Sequence, residues 1–199
     1  MSKKEKSYTE AREKILNAAA RIFGDKGFHK AQVIDIAREA KTSAGSVYTT
    51  FKEKYDIFQQ ITRGTMDEFS AIIGKLDETK TPCASAHRWE SAYSAFFDYV
   101  DEHPDRTLLI LRGGFGVSQE HDTMLWEFIQ LLAETIGNEF RKGVKAGCSL
   151  EVDCTLQGHI IIGMCRQLTM SYIIDKQFSR DEVINTLTAL TEAVVSLYD

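Results

Sequence analysis

Only two prolines occur in the chain, and β-branched residues almost never alternate with polar ones, so strands lack their usual signals and the expected class is all-α. No run of about 18 apolar residues is present, and the lysine-rich start carries no signal-peptide pattern. Neither a membrane span nor export is therefore expected, and the expected location is cytoplasmic. The four cysteines, Cys83, Cys148, Cys154 and Cys165, form no C-x-x-C pair. They read as reduced, mostly buried thiols rather than a zinc site or a disulfide framework.

The motifs of catalysis are missing as well. The chain has no Glu-x-x-His pair, no His-Glu-x-x-His, no Gly-x-Ser-x-Gly and no Walker loop. Gly113, Gly114 and Gly116 follow no strand and precede no Lys-Ser/Thr, so they read as a helix terminator rather than a phosphate loop. No catalytic residue, metal or cofactor is expected. The competing class is an α-helical metal-binding or enzyme-like protein using His121 and Asp122 with a further histidine.

What is present begins with the stretch from Gln32 to Phe58. Val33, Ile36, Ala37 and Ala40 recur at helical spacing with Asp35, Arg38 and Glu39 on the other side, which predicts a short helix over 33–40. After Lys41-Thr42, Ser43 is placed to cap a second helix over 44–51, whose apolar period is Val47, Tyr48 and Phe51. Two short helices joined by a tight turn form a helix-turn-helix, and the second can enter a DNA major groove. Ala44, Gly45, Ser46 and Thr49 lie on its exposed face, small enough to let the backbone approach base edges. Ser46 and Thr49 are expected at bases; Tyr48, Lys52 and Lys54 are expected at phosphates.

The order Ser43-Ala44-Gly45-Ser46-Val47-Tyr48, then Phe51 and Lys54, resembles the DNA-binding domain of the tetracycline-repressor (TetR) family of bacterial regulators. Leu16 through Ala19, Phe23 and Gly27-Phe28 are similar to that family's first helix. The resemblance covers roughly the first third of the chain. Two positions depart from it: Lys41 stands where the turn usually has glycine, and Gln32 where a capping threonine is common. Positive φ at Lys41 would cost about 1 kcal/mol relative to glycine. The resemblance implies a repressor released from its operator by a small effector.

Net charge is −5, which by itself argues against a nucleic-acid binder. Its distribution reverses the argument: residues 1–60 hold 12 Lys+Arg against 8 Asp+Glu, and the rest hold 12 against 21. The basic end is the motif end. Residues 1–6 are expected as an arm, with a first helix from about Thr9, capped by Ser7 and Glu10, to Lys26, and Gly27 as its left-handed terminator. A long fourth helix should run from Lys54 to Leu76, followed by a linker over 77–83.

Beyond it, Trp89, Tyr93, Phe96, Phe97 and Val100 give a fifth helix an aromatic face. A short helix is expected over 107–112 and a long amphipathic one over 122–145. A nearly all-apolar helix over 153–174 needs cover on both sides, and Val183, Leu187, Leu190, Val194 and Leu197 form a heptad seam on a ninth helix. Those last two predict a homodimer through a four-helix bundle, hence a near-palindromic double-stranded DNA operator. A lipophilic effector would be lined by Trp89, Tyr93, Phe97 and Trp126, with Arg112, Gln130, Arg166 and Thr169 as polar anchors. The expected layout is a three-helix DNA-binding domain over 1–52 and a helical effector-binding and dimerisation domain over 53–199, about nine helices in all.

Overall fold

A computed structural model describes residues 3–77, 86–146 and 153–196. Among them there is no strand. The helices are α1 (Lys3–Lys26), α2 (Val33–Glu39), α3 (Ala44–Thr50), α4 (Lys54–Asp77), α5 (Ala86–Glu102), α6 (Pro104–Leu108), α7 (Gln119–Lys145), α8 (Cys154–Met170) and α9 (Arg180–Ser196). π-helical turns extend α6 over Leu109–Gly113 and α8 over Ser171–Asp175. Of the expected linker, everything after Asp77 lies outside the described residues.

Three helix starts differ from expectation, each for a local reason. α1 begins at Lys3, so Ser7 and Glu10 sit inside it and cap nothing. Lys and Glu are good helix formers, no glycine or proline interrupts them, and Thr9 Oγ1 donates back to Glu5 O at 3.0 Å. α6 starts at Pro104, whose ring pre-sets the first helical φ. α7 starts early because Ser118 caps it, its Oγ accepting from His121 N at 3.2 Å.

The chain forms two compact units. One takes the residues through Met66 together with His103–Asp122, and the other takes Asp67–Glu102 and the residues from Thr123 on. The boundaries fall inside α4, between α5 and α6, and inside α7, and the unit holding the helix-turn-helix extends well past residue 52. Its core is built by Ile15, Leu16, Phe23, Ile36, Val47, Phe51, Ile57, Phe58 and Ile61, joined by Leu109 from the later segment. Gly27, at φ 72°, ends α1 and lets Phe28 fold back onto Phe23 with ring centroids 5.6 Å apart.

In the second unit Trp89, Tyr93, Phe97, Val100, Ile136, Phe140, Ile161, Val183 and Leu187 form the core. Arg88 Nη2 donates to Leu76 O at 2.6 Å and to Glu139 Oε2 at 2.5 Å, and Lys142 Nζ reaches the same carboxylate at 2.7 Å. This paired, hydrogen-bonded group joins α4, α5 and α7 where an isolated charge would be costly.

The heptad seam of α9 does not form one outward face. Val183 and Leu187 are buried against α5, where Tyr93 and Thr191 hydroxyls meet at 2.6 Å, whereas Leu190 is 46% exposed. A helix in a small core also repeats every three or four residues, so period alone does not distinguish core from subunit seam. Val194 and Leu197 lie outside the described side chains. On α8 the bare residues are Leu156 and Ile160, 60% and 58% exposed.

α7 and α8 cross closely enough to exclude a side chain. A Cβ on Gly158 would stand 2.0 Å from Ala133 O, and one on Gly137 2.6 Å from Cys154 O. Gly158→Ala is expected to lower stability by about 3 kcal/mol, because both partners are backbone and cannot rotate away. Gly163→Ala on the same helix meets nothing within 4 Å and should be neutral or stabilising by up to about 1 kcal/mol. Urea unfolding midpoints of the two variants check the contrast.

Candidate nucleic-acid interface

α2 ends in a tight reversal. Ala40 N donates to Ile36 O at 2.9 Å, Thr42 N donates to Ala37 O at 2.9 Å, and Lys41 between them takes φ 53°. The turn that usually has glycine therefore keeps its left-handed geometry with a lysine in it. Ser43 follows in extended conformation and caps α3, its Oγ accepting from Ser46 N at 3.0 Å and lying 2.9 Å from Ser46 Oγ. Val47 is 1% exposed and fixes the rotation of α3, which leaves Gly45, Ser46, Tyr48 and Thr49 on the solvent side.

Ser43 and Lys52 are exposed as well, and Ala44 is half-buried against the core. Thr49 Oγ1 donates to Ser46 O at 2.7 Å, so its hydroxyl is held along the helix. Gln32 occupies the N-cap of α2 in extended conformation, with its backbone N–H donating to Asp35 Oδ2 at 3.3 Å and its side chain exposed. Asp35 is held below the ordinary carboxylate range, chiefly by its hydrogen bond from Lys26.

Among the residues expected at phosphates, Lys54 is placed for a different role. Its ammonium donates to Phe28 O at 2.7 Å, Ala31 O at 2.9 Å and His29 O at 3.4 Å, and stands 4.5 Å from the Phe28 ring centroid. All three of its donors are thereby taken by the α1–α2 connection rather than held out for a phosphate. Sequence reading had no means to see this, because the acceptors lie 23 to 26 positions away and are backbone.

Residues of α1 that the motif did not single out share a half-open groove with the reading helix. It measures about 970 Å³, and Lys14, Arg21, Lys41, Thr42, Ser46 and Thr49 are among its lining. Exposed basic residues on α1 were visible in the sequence, but which side of the helix faces α3 is a packing outcome.

The expected effector residues differ in burial and are divided between the two units. Trp89, Tyr93 and Phe97 are buried together in the second unit, with Trp89 stacked on Phe140 at 5.5 Å, and Thr169 is fully buried. Trp126 is 58% exposed, Gln130 half-buried and Arg166 exposed. Arg112 is exposed on the π-helical turn and belongs to the first unit. An aromatic at helical spacing is buried only if its face is the inner one, and for Trp126 it is not.

His121 and Asp122 do not converge on a metal site. Asp122 Oδ1 accepts from Gly116 N at 2.8 Å, and among the described residues no three potential ligands cluster. His121 is 1% exposed, its ring 4.7 Å from that of Phe58, and neither ring nitrogen has a partner among the described residues. Burial is the first cause pushing its pKa below the ordinary 6.5; Asp122 opposes this and Arg63 adds to it.

Two outcomes follow from these placements. Lys54→Met should lower thermal stability and weaken binding to every duplex while leaving the slope of log affinity against log salt unchanged, since no phosphate contact is lost; a slope smaller by about 1 would restore Lys54 to the phosphates. His121 favours the neutral ring in the folded state, so below about pH 6.5 the unfolded chain takes up a proton that the folded one resists, and stability falls as pH drops toward the lowered folded value. Urea titrations from pH 8 to pH 5 should show His121→Leu losing that part of the dependence.

Comparison with known proteins matches this geometry. The family model for bacterial regulatory proteins of the tetR family matches residues 15–61, which spans α2, the turn and α3. The fatty acid metabolism regulator protein of Bacillus subtilis (strain 168) is 32% identical over 190 residues, covering 92% of this chain and 92% of its own. FadR from Bacillus subtilis, solved with stearoyl-CoA, superimposes with a TM-score of 0.71 at 18% identity over 94% of this chain and 99% of its own. AibR, solved with isovaleryl coenzyme A and operator DNA, superimposes with a TM-score of 0.74 at 16% identity over 90% and 97%. A capped reading helix on a three-helix core, and a relative alike over nearly the whole length, lead to one conclusion: this chain belongs to the tetR family of bacterial regulatory proteins and is a DNA-binding transcriptional regulator.

Proposed function

We propose that the protein is a homodimeric repressor that sits on a near-palindromic operator and is released by a largely apolar effector of the acyl-coenzyme A class. The elements that read DNA lie within 1–52, effector binding and pairing belong to the second unit within residues 53–199, and the site of action is the cytoplasm. The observation that carries the DNA part is the exposed row Gly45, Ser46, Tyr48 and Thr49 on a helix locked by buried Val47. Ser46 and Thr49 read base edges, while Ser43, Tyr48 and Lys52 with the N-terminus of α2 at Gln32 hold the backbone.

Bare Leu156 and Ile160, one turn apart on α8, with Leu190 on α9 support pairing with a second copy, which would take these side chains out of water. A two-fold pair then presents its reading helices about 34–36 Å apart, or a multiple of that. Support for an effector comes from the aromatic core of the second unit, in which Trp89 Nε1 and Thr169 Oγ1 are buried without a partner among the described residues and can receive a polar group of a ligand. The coenzyme A thioesters bound by FadR and AibR point to the class. Helix α4 belongs to both units, so a shift imposed on its second half reaches the first turn, beside the reading head. Favouring the released state a hundredfold takes about 2.7 kcal/mol of differential binding.

Selection from genomic fragments should enrich an inverted repeat, and a C14–C18 acyl-coenzyme A should weaken binding to it. Recovery of a repeat whose affinity is indifferent to acyl chains of every length would remove the effector class. Leu156→Glu with Ile160→Glu is expected to sediment as a folded monomer with operator affinity reduced at least about tenfold. A dimer persisting in that variant would place the pairing surface elsewhere.

A further inference from the structure

Arg21 occupies an unusual electrostatic position in the groove beside the reading helix. It lines the same groove as Ser46, Thr49, Lys14 and Lys41, and its side chain is 54% exposed, yet two carboxylates hold it. Nη1 meets Glu39 Oε1 at 2.5 Å and Nε meets Asp105 Oδ2 at 3.1 Å. Nη2 has no partner among the described residues. Glu39 ends α2 and also lines the groove; Asp105 comes from α6 and does not.

The charges of the three groups sum to −1, so the triad repels phosphate at the one place in the groove wall where an arginine would attract it. Arginine's planar fork suits a phosphodiester, and charges in contact with a groove-lining residue are screened little over a Debye length of about 8 Å. A guanidinium has five N–H donors, and with two carboxylates on Nε and Nη1 its Nη2 donors remain for a phosphate oxygen. The pair with Asp105 is half-exposed on both sides, which puts it among ion pairs worth about 1 kcal/mol or less and readily exchanged.

We infer that Arg21 is a phosphodiester contact held in reserve, and that Asp105 sets operator affinity by competing with DNA for its guanidinium. The inference rests on the operator-binding reading above. It assigns α6 an electrostatic role in DNA binding through a residue that itself touches no DNA. Any change that draws Asp105 away from Arg21 tightens binding, and any change that presses it closer weakens binding.

The test is operator affinity from 50 to 300 mM KCl for the wild type, Asp105→Asn, Arg21→Ala, the double variant Arg21→Ala/Asp105→Asn, and Glu13→Gln. Glu13 pairs with Arg106 Nη2 at 2.5 Å, a second ion pair between α1 and α6, and lies 3.7 Å from Arg12 Nη1 on its own helix. Its variant therefore makes the same change in net charge and loosens the same helix without freeing Arg21. Asp105→Asn is expected to bind about fivefold tighter at 100 mM salt, with a slope steeper by about 1. The gain should disappear in the Arg21→Ala background, and Glu13→Gln should not steepen the slope. An equal gain with and without Arg21 would mean a general charge effect and would overturn the inference, as would unchanged affinity in Asp105→Asn. Failure of the wild type to bind any enriched duplex would instead bring down the operator reading and this inference with it.

Discussion

α2 and α3 are seven residues each, well below the length at which an isolated helix persists in water, and their place in the molecule depends on burial rather than propensity. Ile36, Ala37, Val47 and Phe51 are each at most 2% exposed in a core that α1 and α4 build around Phe23 and Phe58. That core sets the angle of the reading helix and decides which side of it meets water. Everything DNA can touch is what this burial leaves outside. Even Leu109, far along the chain, is drawn into it, so the head is not a purely N-terminal structure.

The polar bonds around this core are concentrated where the chain turns. Lys54 begins α4, where a cation is disfavoured by the helix dipole, yet three carbonyls of the α1–α2 connection surround it. The arrangement exchanges an unfavourable position for the satisfaction of three backbone acceptors. It also ties the entry of α4 to the exit of α1, leaving α2 and α3 a fixed frame between them. Lys41 illustrates the opposite balance, since its positive φ is tolerated because Ala40 and Thr42 carry the hydrogen bonds of the reversal on either side.

The second unit follows a different logic, with close backbone contact at Gly158 and a paired ion group at Arg88, Glu139 and Lys142. Gly158 on α8 meets the backbone of α7, and the ion group links α5 and α7 to the Leu76 carbonyl of α4. Leu156 and Ile160 are among the large apolar residues that remain outside, on the face of α8 opposite its core contacts. Their own core is already filled by Ile161, Val183 and Leu187 on neighbouring positions.

Taken alone, the sequence determined the all-α class, nearly every helix, the left-handed end at Gly27, the Ser43 cap, and the identity of the reading helix. Those features are local: they depend on spacings of one to four residues and on the conformational range of single residue types. Tertiary structure decided the rest. Lys54 turned from phosphate ligand to clamp, Leu187 from seam to core, Trp126 from pocket wall to surface, and Arg21 became a charged partner of Asp105, 84 positions away. Periodicity states that a helix has two faces but not what each one meets, because that depends on where distant segments of the chain come to rest.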